Sequence, residues 1–374
     1  MNTLPPAKVA GFERIEIVDS PERMMAIGPA WTELWQRTDG LIFQSYAWIA
    51  AWWATAANAD RRALRIGLVW HADRLVAVMP LTIERRRGLR FLEWAAVAYS
   101  DYGDALVAPE CPQASLQHLW AQISKSGGFD IAFITRITPQ AATRPLFSNP
   151  TASGLQFRPG HRVEISHRIV GTWKTGSAWY DTLSKKMRKT YRHGCNTIEK
   201  SGDLQFRLLP PEEPLEPALT RLSLLKSKWL MERGLESQLF ERDTPILAAL
   251  VRVLAEAGIL RLFVLECSGT IVSLSVNFVQ RGTTMAWVTS FDRDFDRASP
   301  GLILMTDYIK WSFDNNHHTV DFLCGGEAFK DRFATESVML ESWIGSRTWR
   351  GSLAMALDRL RRRVRAMRKR GEAA

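Results

Sequence analysis

Residues 285–333 decide the fold of this chain, and they read MAWVTSFDRDFDRASPGLILMTDYIKWSFDNNHHTVDFLCGGEAFKDRF. The sequence predicts a strand over 285–291, a charged loop over 292–298, a helix from Ser299 and a second strand over 320–324. Ser299 suits a helix cap, and Pro300 stands where a helix needs no N–H donor. Apolar side chains then follow at helical spacing. The stretch therefore predicts a helix that begins directly after a β-strand.

The start of this helix is a candidate anion site. Free backbone N–H groups and the positive end of the helix dipole favour a phosphate or pyrophosphate there. Arg297 adds a positive charge, and Gly301 allows the backbone to come close to a ligand. An ordinary Ser-Pro helix start is the structural alternative.

Three further motifs give this pattern a wider context: a basic helix opening at 183–189 (LSKKMRK), the loop from Phe291-Asp292 to Ser299-Pro300-Gly301, and DFL at 321–323 followed by EAFKDRF at 327–333. In order and spacing, over residues 179–344, they resemble the C-terminal half of CelD/BcsL-type acetyltransferase-like proteins. These are members of the GNAT acyltransferase superfamily and relatives of the Fem-type peptidyltransferases. Many relatives carry a tyrosine just before the lysine, whereas Phe329 stands here, so a phenolic acid is absent.

The second half of the chain repeats the element order of the first. LRIGLVWHADRLVAVMPLTIERRRG from Leu64 aligns without gaps with LRLFVLECSGTIVSLSVNFVQRGTT from Leu260. The apolar pattern and the turn positions coincide, which indicates an internal duplication. In the first copy we expect strands over 64–70, 75–83 and 89–95, a helix over 113–126 and a strand over 130–136.

Together, the duplication and the resemblance predict an α/β fold (α+β mixed sheets) with two tandem GNAT-like acyl-CoA N-acyltransferase domains. We expect an N-terminal domain over 12–168 without a donor site, a C-terminal domain over 169–350 with an acyl-CoA site, and a basic amphipathic tail helix over 351–374. The resemblance implies acetyl-CoA or another acyl-CoA as co-substrate, and no metal. It assigns the thioester to the strand over 285–291, with these cofactor-binding residues: Trp287, Val288, Thr289, Arg297, Ser299, Pro300 and Gly301.

Four residues are candidates for the chemistry of acyl transfer, which needs a base and a group that stabilises an oxyanion. Asp292 and Asp294 follow the strand and are candidate bases, with a solvated acidic loop as the alternative. Lys330 matches a lysine that the Fem-type relatives use near the reaction centre, so it is a candidate for binding the acceptor or the oxyanion. Glu327 is a further candidate base, although its Gly-Gly-Glu context also suits a helix start.

The composition limits the class of protein. A chain of 374 residues with 46% hydrophobic residues can form two domain cores. It begins without the apolar segment of a signal peptide and contains no run of eighteen apolar residues, so we expect a soluble, cytoplasmic protein. Four widely spaced cysteines indicate neither a disulfide framework nor a zinc site.

The positive charge is concentrated in two segments. The net charge is +10, of which residues 353–370 carry +7 and residues 184–200 carry +5, so the remainder is at −2. This distribution argues against a DNA-binding face. The first of the two segments along the chain is a candidate acceptor site for an anionic substrate, through Lys185, Lys186, Arg188, Lys189 and Arg192. The tail helix fits an anionic membrane surface, with dimerisation or a solvated tail as alternatives.

Three functions remain open at this level. The leading hypothesis is transfer of an acyl group, most simply acetyl, from acyl-CoA to an amine or hydroxyl of a small metabolite or a polysaccharide or cell-envelope precursor. A Fem-like transferase that uses aminoacyl-tRNA is the second, and a non-enzymatic module that binds an anionic membrane or polymer is the third. The motif Ser-x-x-Lys at 223–226 lies within a predicted helix without companion motifs, so it is assigned to chance.

Overall fold

A computed structural model describes residues 13–149, 155–241 and 244–371. Residue 12 of the predicted first domain and residues 372–374 of the predicted tail lie outside this part. The first half contains these elements: β1 (Glu13–Val18), α1 (Pro21–Ala26), α2 (Gly28–Arg37), α3 (Tyr46–Thr55), β2 (Arg62–Leu64), β3 (Ile66–His71), β4 (Arg74–Met79), β5 (Leu81–Arg86), β6 (Leu89–Trp94), β7 (Leu106–Val107), α4 (Gln113–Ser126), β8 (Ile131–Ile137), α5 (Arg144–Ser148) and β9 (Arg158–Pro159).

The second half begins with a strand and ends with a long helix. Its elements are β10 (Glu164–Val170), α6 (Gly176–Thr182), α7 (Lys185–Glu199), β11 (Leu204–Leu208), α8 (Leu215–Glu232), α9 (Ile246–Glu256), β12 (Leu260–Cys267), β13 (Thr270–Gln280), β14 (Thr283–Phe291), α10 (Pro300–Asp314), β15 (Thr319–Cys324), α11 (Ala328–Asp331), β16 (Glu336–Ser346) and α12 (Trp349–Gly371). Short 3-10 helices lie at Ile42–Gln44, Ala59–Arg61, Gln238–Phe240 and Arg293–Ala298.

The chain divides into two compact units. The first comprises the described residues of Met1–Ala50, Asn58–Val163 and Leu340–Ala374, and the second comprises those of Ala51–Ala57 and Glu164–Met339. Most of β16 and the tail helix therefore group with the first unit, whereas the sequence placed residues 340–350 in the second. The reason is a strand pairing between distant segments: β16 pairs with β8, with Glu341 opposite Ile137 and Ser346 opposite Ile131.

In the first unit, the predicted strand over 75–83 is two strands in different sheets. β4 lies in the order β1-β3-β4-β7, and β5 lies in the order β16-β8-β6-β5-β2, with β9 beside β16. The break falls at Pro80, which cannot donate a ladder hydrogen bond. The alignment of the two copies pairs Pro80 with Val276, where the register of β13 against β14 also shifts. Both copies therefore depart from regular pairing at the same point, but in the second copy β13 continues through it and the bulge lies in β14.

The second unit contains the sheet order β11-β12-β13-β14-β15-β10. Neighbouring strands are antiparallel except β14 and β15, which are parallel. Helices α6, α7 and α10 share a buried core with alternate residues of the strands, among them Phe263 and Leu265. Because successive side chains of a strand point to opposite faces, the intervening residues Leu262 and Val264 are buried on the side of α8 and α9.

A buried carboxyl in the first unit should make the stability of the protein depend on pH. Burial raises the pKa of Glu93 on β6 to about 8, although the guanidinium of Arg86 opposes this shift. The Glu93 carboxyl therefore binds its proton more tightly in the folded protein than in the unfolded chain. The stability that this difference contributes is lost as pH rises. Compared with Glu93→Gln, the wild type should lose up to about 1.4 kcal/mol per pH unit between about pH 5 and pH 8.

The measurement is urea unfolding of both proteins across this pH range. Glu33→Gln, at an exposed position of α2, is the control and should follow the wild type. Parallel stability curves for the wild type and Glu93→Gln would contradict the prediction.

Candidate functional site

The second unit has an opening in its sheet. β14 and β15 pair at only three positions: Thr283 with Thr319, Thr284 with Val320, and Met285 with Asp321. Beyond these pairs, β14 continues to Phe291 and β15 to Cys324 without pairing with each other. We call the space between residues 286–291 and residues 322–324 the β14–β15 opening. It leaves one edge of the β14 backbone available to an extended ligand.

A β-bulge shapes β14 inside this opening. Val288 lies opposite Val276 and Ala286 lies opposite Asn277, so Trp287 is the inserted residue. Bulges increase the local twist of a strand and occur often beside active sites. Thr289, two residues on, bonds Ser275 through its hydroxyl at 2.7 Å. The predicted cofactor residues Trp287, Val288 and Thr289 thus line one edge of the opening.

The start of α10 differs from the prediction in two respects. A 3-10 helix at Arg293–Ala298 replaces the expected loop between strand and helix. Ser299 occupies the cap position in a left-handed conformation, with φ of 54° and ψ of 56°, and its side chain does not cap the helix. Its carbonyl instead accepts the N–H groups of Leu302 and Ile303. The tight 3-10 turn brings the chain into this conformation, which a pattern of residue types does not reveal.

The groups expected to hold an anion are nevertheless present at this helix start. Among the described residues, the N–H of Gly301 has no acceptor and the exposed side chain of Arg297 makes no ion pair. A Cβ at Gly301 would lie 3.2 Å from the ring of Phe291, so glycine keeps this approach open. Pro300 occupies the first helical position, as predicted.

Lys330 and Glu327 form an ion pair on the β15 side of the opening. The Lys330 Nζ lies 2.9 Å from a carboxylate oxygen of Glu327 and 3.4 Å from the carbonyl oxygen of Cys324. Lys330 is buried, whereas the Glu327 side chain is exposed. A Cβ at Gly325 would lie 2.7 Å from the Lys330 Nζ, and Gly325 has φ of 145°. The positive φ favours glycine at this position, whereas the Nζ is the end of a flexible side chain and could move.

The two predicted aspartate bases have other partners. Asp292 caps the 3-10 helix through the N–H of Asp294 and pairs with Arg221 of α8 at 2.6 Å. The exposed side chain of Asp294 lies 3.7 Å from Lys228. Within the described residues, no hydrogen bond or ion pair joins either aspartate to Glu327 or Lys330. Their role as bases stays a prediction, and the contacts of Asp292 are structural.

Lys226 of α8 lies at the opening, although its Ser-x-x-Lys motif was assigned to chance from the sequence. Its Nζ donates to the carbonyl of Thr289 at 3.4 Å and lies over the ring of Trp229 at 4.6 Å. Burial lowers the pKa of Lys226, with Glu327 opposing and Lys330 adding to the shift. The available signal was its position on the helix: Lys226 interrupts an apolar face that contains Leu222 and Leu225.

The basic helix α7 is exposed along its charged side. Lys185, Lys186, Lys189 and Arg192 are exposed and make no ion pair with the described residues. Arg188 is half-buried and contacts Asp181 at 3.4 Å.

Two contacts fix the direction of α7 along α10. Gly194 faces the Ala298 carbonyl, where a Cβ would lie at 2.4 Å, and the Tyr191 hydroxyl donates to Asp307 at 2.6 Å. The two helices therefore run in opposite directions. The structure does not bring residues 185–189 to the start of α10, but places them towards its later turns.

In the first unit, the corresponding space between β6 and β8 is filled by the protein. Gly103 donates its N–H to the Arg136 carbonyl of β8. A Cβ on Gly103 would lie 2.3 Å from the Trp94 indole nitrogen of β6 and 2.7 Å from the Thr135 carbonyl of β8. Asp104 then accepts hydrogen bonds from Ala105, Ala142 and Thr143, which hold this loop in place.

Comparison with known proteins supports the GNAT-like fold that the sequence predicts. Residues 185–331 match the sequence model of a family described as an acetyltransferase (GNAT) domain. This range lies in the second unit and includes α7, β14, the start of α10 and the Glu327–Lys330 pair. No curated protein matches the sequence.

Solved structures extend the similarity to both units. The chain is similar to FemX, with a TM-score of 0.57 and 11% identity over 84% of this chain and 95% of that one. It is similar to the C-terminal domain of a putative lysylphosphatidylglycerol synthetase from Agrobacterium fabrum, with a TM-score of 0.54 and 11% identity over 90% and 96%. A tandem GNAT protein from the clavulanic acid pathway matches with a TM-score of 0.51 and 11% identity over 90% and 99%. The predicted fold of two tandem GNAT-like domains is confirmed.

Because α7 approaches the turn before α10 closely, we expect a larger side chain at the contact to destabilise the protein. In Gly194→Ala, the added methyl would press on the Ala298 carbonyl and on Ile303, so α7 must move. We expect a net loss of about 1–3 kcal/mol in the free energy of unfolding, although alanine is the better helix former.

Urea unfolding at neutral pH checks this expectation. Gly326→Ala is the matched control, because its Cβ would have no atom within 4 Å. A Gly194→Ala protein as stable as the wild type would show that α7 does not pack tightly on this turn.

Proposed function

We propose that the protein is an acyltransferase that moves an acyl group, most simply acetyl, from acyl-CoA to an amine or hydroxyl of its acceptor. The observation that carries this proposal is the β14–β15 opening with the start of α10 beside it. An opening of this kind offers backbone groups to an extended thioester arm, and the helix start offers N–H groups to a pyrophosphate. The match of residues 185–331 to an acetyltransferase domain supports the reaction class.

The residues at the opening fit such a co-substrate. Gly301 and Arg297 would hold the pyrophosphate, since glycine leaves room in front of Phe291 and the arginine has no competing partner among the described residues. The bulged strand at Trp287, Val288 and Thr289 would lie along the thioester arm. When bound, acyl-CoA supplies an electrophilic thioester carbon.

The transfer itself requires a base and a cation. The acceptor nitrogen or oxygen attacks the carbonyl carbon, a C–N or C–O bond forms, and the C–S bond breaks to release CoA as a thiolate that takes up a proton. Glu327 is the group we assign to remove the acceptor proton, because its carboxylate is exposed beside the opening. The Lys330 ammonium, buried beside it, is the cation: it would either hold an anionic group of the acceptor or stabilise the developing oxyanion.

In the first unit, Gly103 and Asp104 close the equivalent space, so we propose that this unit has no donor site and serves the acceptor or the scaffold. The motifs at 183–189 and 327–333 support a closer relation to CelD/BcsL-type proteins, and with it a polysaccharide or cell-envelope precursor as acceptor. Action in the cytoplasm is part of the same proposal. The exposed cations of α7, at Lys185, Lys186, Lys189 and Arg192, suit an anionic acceptor.

A second candidate is transfer of an aminoacyl group from charged tRNA. The similarity to FemX favours keeping it, and the basic face of α7 suits a nucleic-acid backbone. The two candidates differ in the ligand that binds the second unit.

Calorimetric titration with acetyl-CoA tests the leading proposal. We expect the wild type to bind and Gly301→Glu to lose affinity at least about tenfold, because the new carboxylate meets both the Phe291 ring and the place of the pyrophosphate. Asn315→Glu adds the same charge at the other end of α10 and should bind as the wild type does.

Absence of acetyl-CoA binding in folded wild-type protein would remove the leading proposal. Salt-dependent binding of charged tRNA under the same conditions would then support the second candidate. Equal affinities of wild type and Gly301→Glu would show that the co-substrate binds elsewhere.

A further inference from the structure

Each wall of the β14–β15 opening has a lysine bonded to a strand carbonyl. Lys226 donates to the Thr289 carbonyl on β14, and Lys330 donates to the Cys324 carbonyl on β15, each at 3.4 Å. Thr289 and Cys324 lie beyond the last parallel pair, where β14 and β15 no longer pair with each other. The two ammonium groups therefore stand on opposite sides of one space, and they come from α8 and α11.

The charge in this space is not balanced by the protein. Glu327 is the acidic partner of Lys330, and the contacts of Lys226 are a carbonyl and an indole ring. Lys330 is buried and Lys226 is partly so, and burial of an ammonium group without a full counter-charge is costly. Burial is the main reason that the pKa of Lys226 is lowered, and the positive charge of Lys330 adds to this lowering. An anion between them would remove this cost.

We propose that Lys226 and Lys330 together bind an anionic group of the acceptor, a phosphate or a carboxylate. This inference rests on the proposed function, because it places the acceptor beside the thioester arm on β14. A phosphate or carboxylate held there would fix the distance from the acceptor amine or hydroxyl to Glu327. Lys226 is thus a positioning residue that selects acidic acceptors, and the remote basic turns of α7 are not needed for this step.

The test uses the full chain with its lysines labelled by reductive methylation with ¹³C-formaldehyde and observed by NMR. The probes are inorganic phosphate and acetate, and the signals are assigned with Lys226→Arg and Lys330→Arg. We expect both signals to shift saturably with one of the probes, while that of Lys125, an exposed residue of α4, drifts without saturation. Phosphate saturation indicates a phosphorylated acceptor, and acetate saturation indicates a carboxylic one.

Variants make the test decisive. Lys330→Met should weaken binding of the same probe at the Lys226 signal at least about tenfold, whereas Lys125→Met should leave it unchanged. The inference would be overturned if the Lys226 signal drifted without saturation, as that of Lys125 does. It would also be overturned if Lys330→Met left the affinity measured at the Lys226 signal unchanged. Titration with CoA on the same sample separates the two proposals: saturable anion binding without CoA binding would sink the acyl-CoA proposal and leave this site standing.

A separate observation concerns the surface of α12. This helix spans 23 residues, about 35 Å, and six of its apolar side chains are exposed by 41 to 75%. At 100° per residue they fall within an arc of about 80°. The members of this apolar stripe are Trp349, Leu353, Leu357, Leu360, Val364 and Met367.

Arginines border the stripe on both sides. Arg361 and Arg365 lie along one border, and Arg359 and Arg363 lie along the other, all exposed. The first turns hold the helix to its own unit: Gly351 packs against the Asp130 carbonyl, and Thr348 bonds the Asp130 carboxylate at 2.9 Å. The structure contains no helix, among the described residues, that is long and apolar enough to cross a membrane.

We infer that α12 lies flat on an anionic lipid surface. The stripe would enter the acyl boundary, and the bordering arginines would reach the lipid phosphates. A second copy of the chain is the less suitable occupant, because pairing two such stripes would bring their arginine borders together. A nucleic acid would use the arginines but leave the stripe in water.

Flotation with vesicles tests this inference in the full-length protein at about 0.15 M salt. We expect binding to phosphatidylcholine vesicles that contain one quarter phosphatidylglycerol, and no binding to phosphatidylcholine alone. Leu353→Ser/Leu360→Ser should weaken binding at least about tenfold, and Arg361→Gln/Arg365→Gln about 25-fold. Arg252→Gln, at an exposed position of α9, is the charge-matched control and should bind normally.

Equal binding to both vesicle types, or none to either, would overturn the inference. Sedimentation of the same proteins identifies the competing occupant. A concentration-dependent dimer that Leu353→Ser/Leu360→Ser abolishes would assign the stripe to a second copy of the chain.

Discussion

The short parallel pairing of β14 with β15 is the constraint on which the second unit depends. Three residue pairs hold the strands together, and after Met285 the inserted Trp287 turns β14 away from its neighbour. The groups of the second unit that we assign to acyl transfer lie around this separation. Had the strands stayed paired in this register, Cys324 would lie opposite Val288 and the backbone groups of the two strands would bond each other. The sheet gives up several ladder hydrogen bonds here, and the lysine side chains and the helix start take their place.

Burial and charge act against each other around this opening. Lys330 is buried although it is charged, and its ion pair with Glu327 together with the Cys324 carbonyl lowers the cost. Tyr191 and Asp307 show the opposite arrangement between α7 and α10, where burial raises the pKa of both groups and their hydrogen bond joins the helices. Lys226 lies near the first arrangement and gives this region a net positive charge. The second is satisfied within the protein and positions the scaffold.

Local pattern in the sequence predicted the order of elements well and the contacts poorly. The apolar spacing of α10 and the two similar stretches from Leu64 and Leu260 needed no knowledge of distant segments. The 3-10 helix at Arg293–Ala298 has no such spacing, so the sequence indicated a loop. The Ser-x-x-Lys motif that contains Lys226 was assigned to chance, because the importance of this lysine depends on Thr289, 63 positions further along the chain. The pairing of β16 with β8 was missed for the same reason: it joins segments some 200 residues apart.

The filled space of the first unit bears on how the duplicated chain can change. Gly103 lies so close to Trp94 and Thr135 that any side chain there would have to displace an indole ring or a strand. Asp104 ties the same loop to residues 142 and 143. Opening this space to a ligand would require the loop, its aspartate anchor and the surrounding ring to change together. A single substitution at Gly103 therefore cannot open it, because packing holds these three parts in place at once.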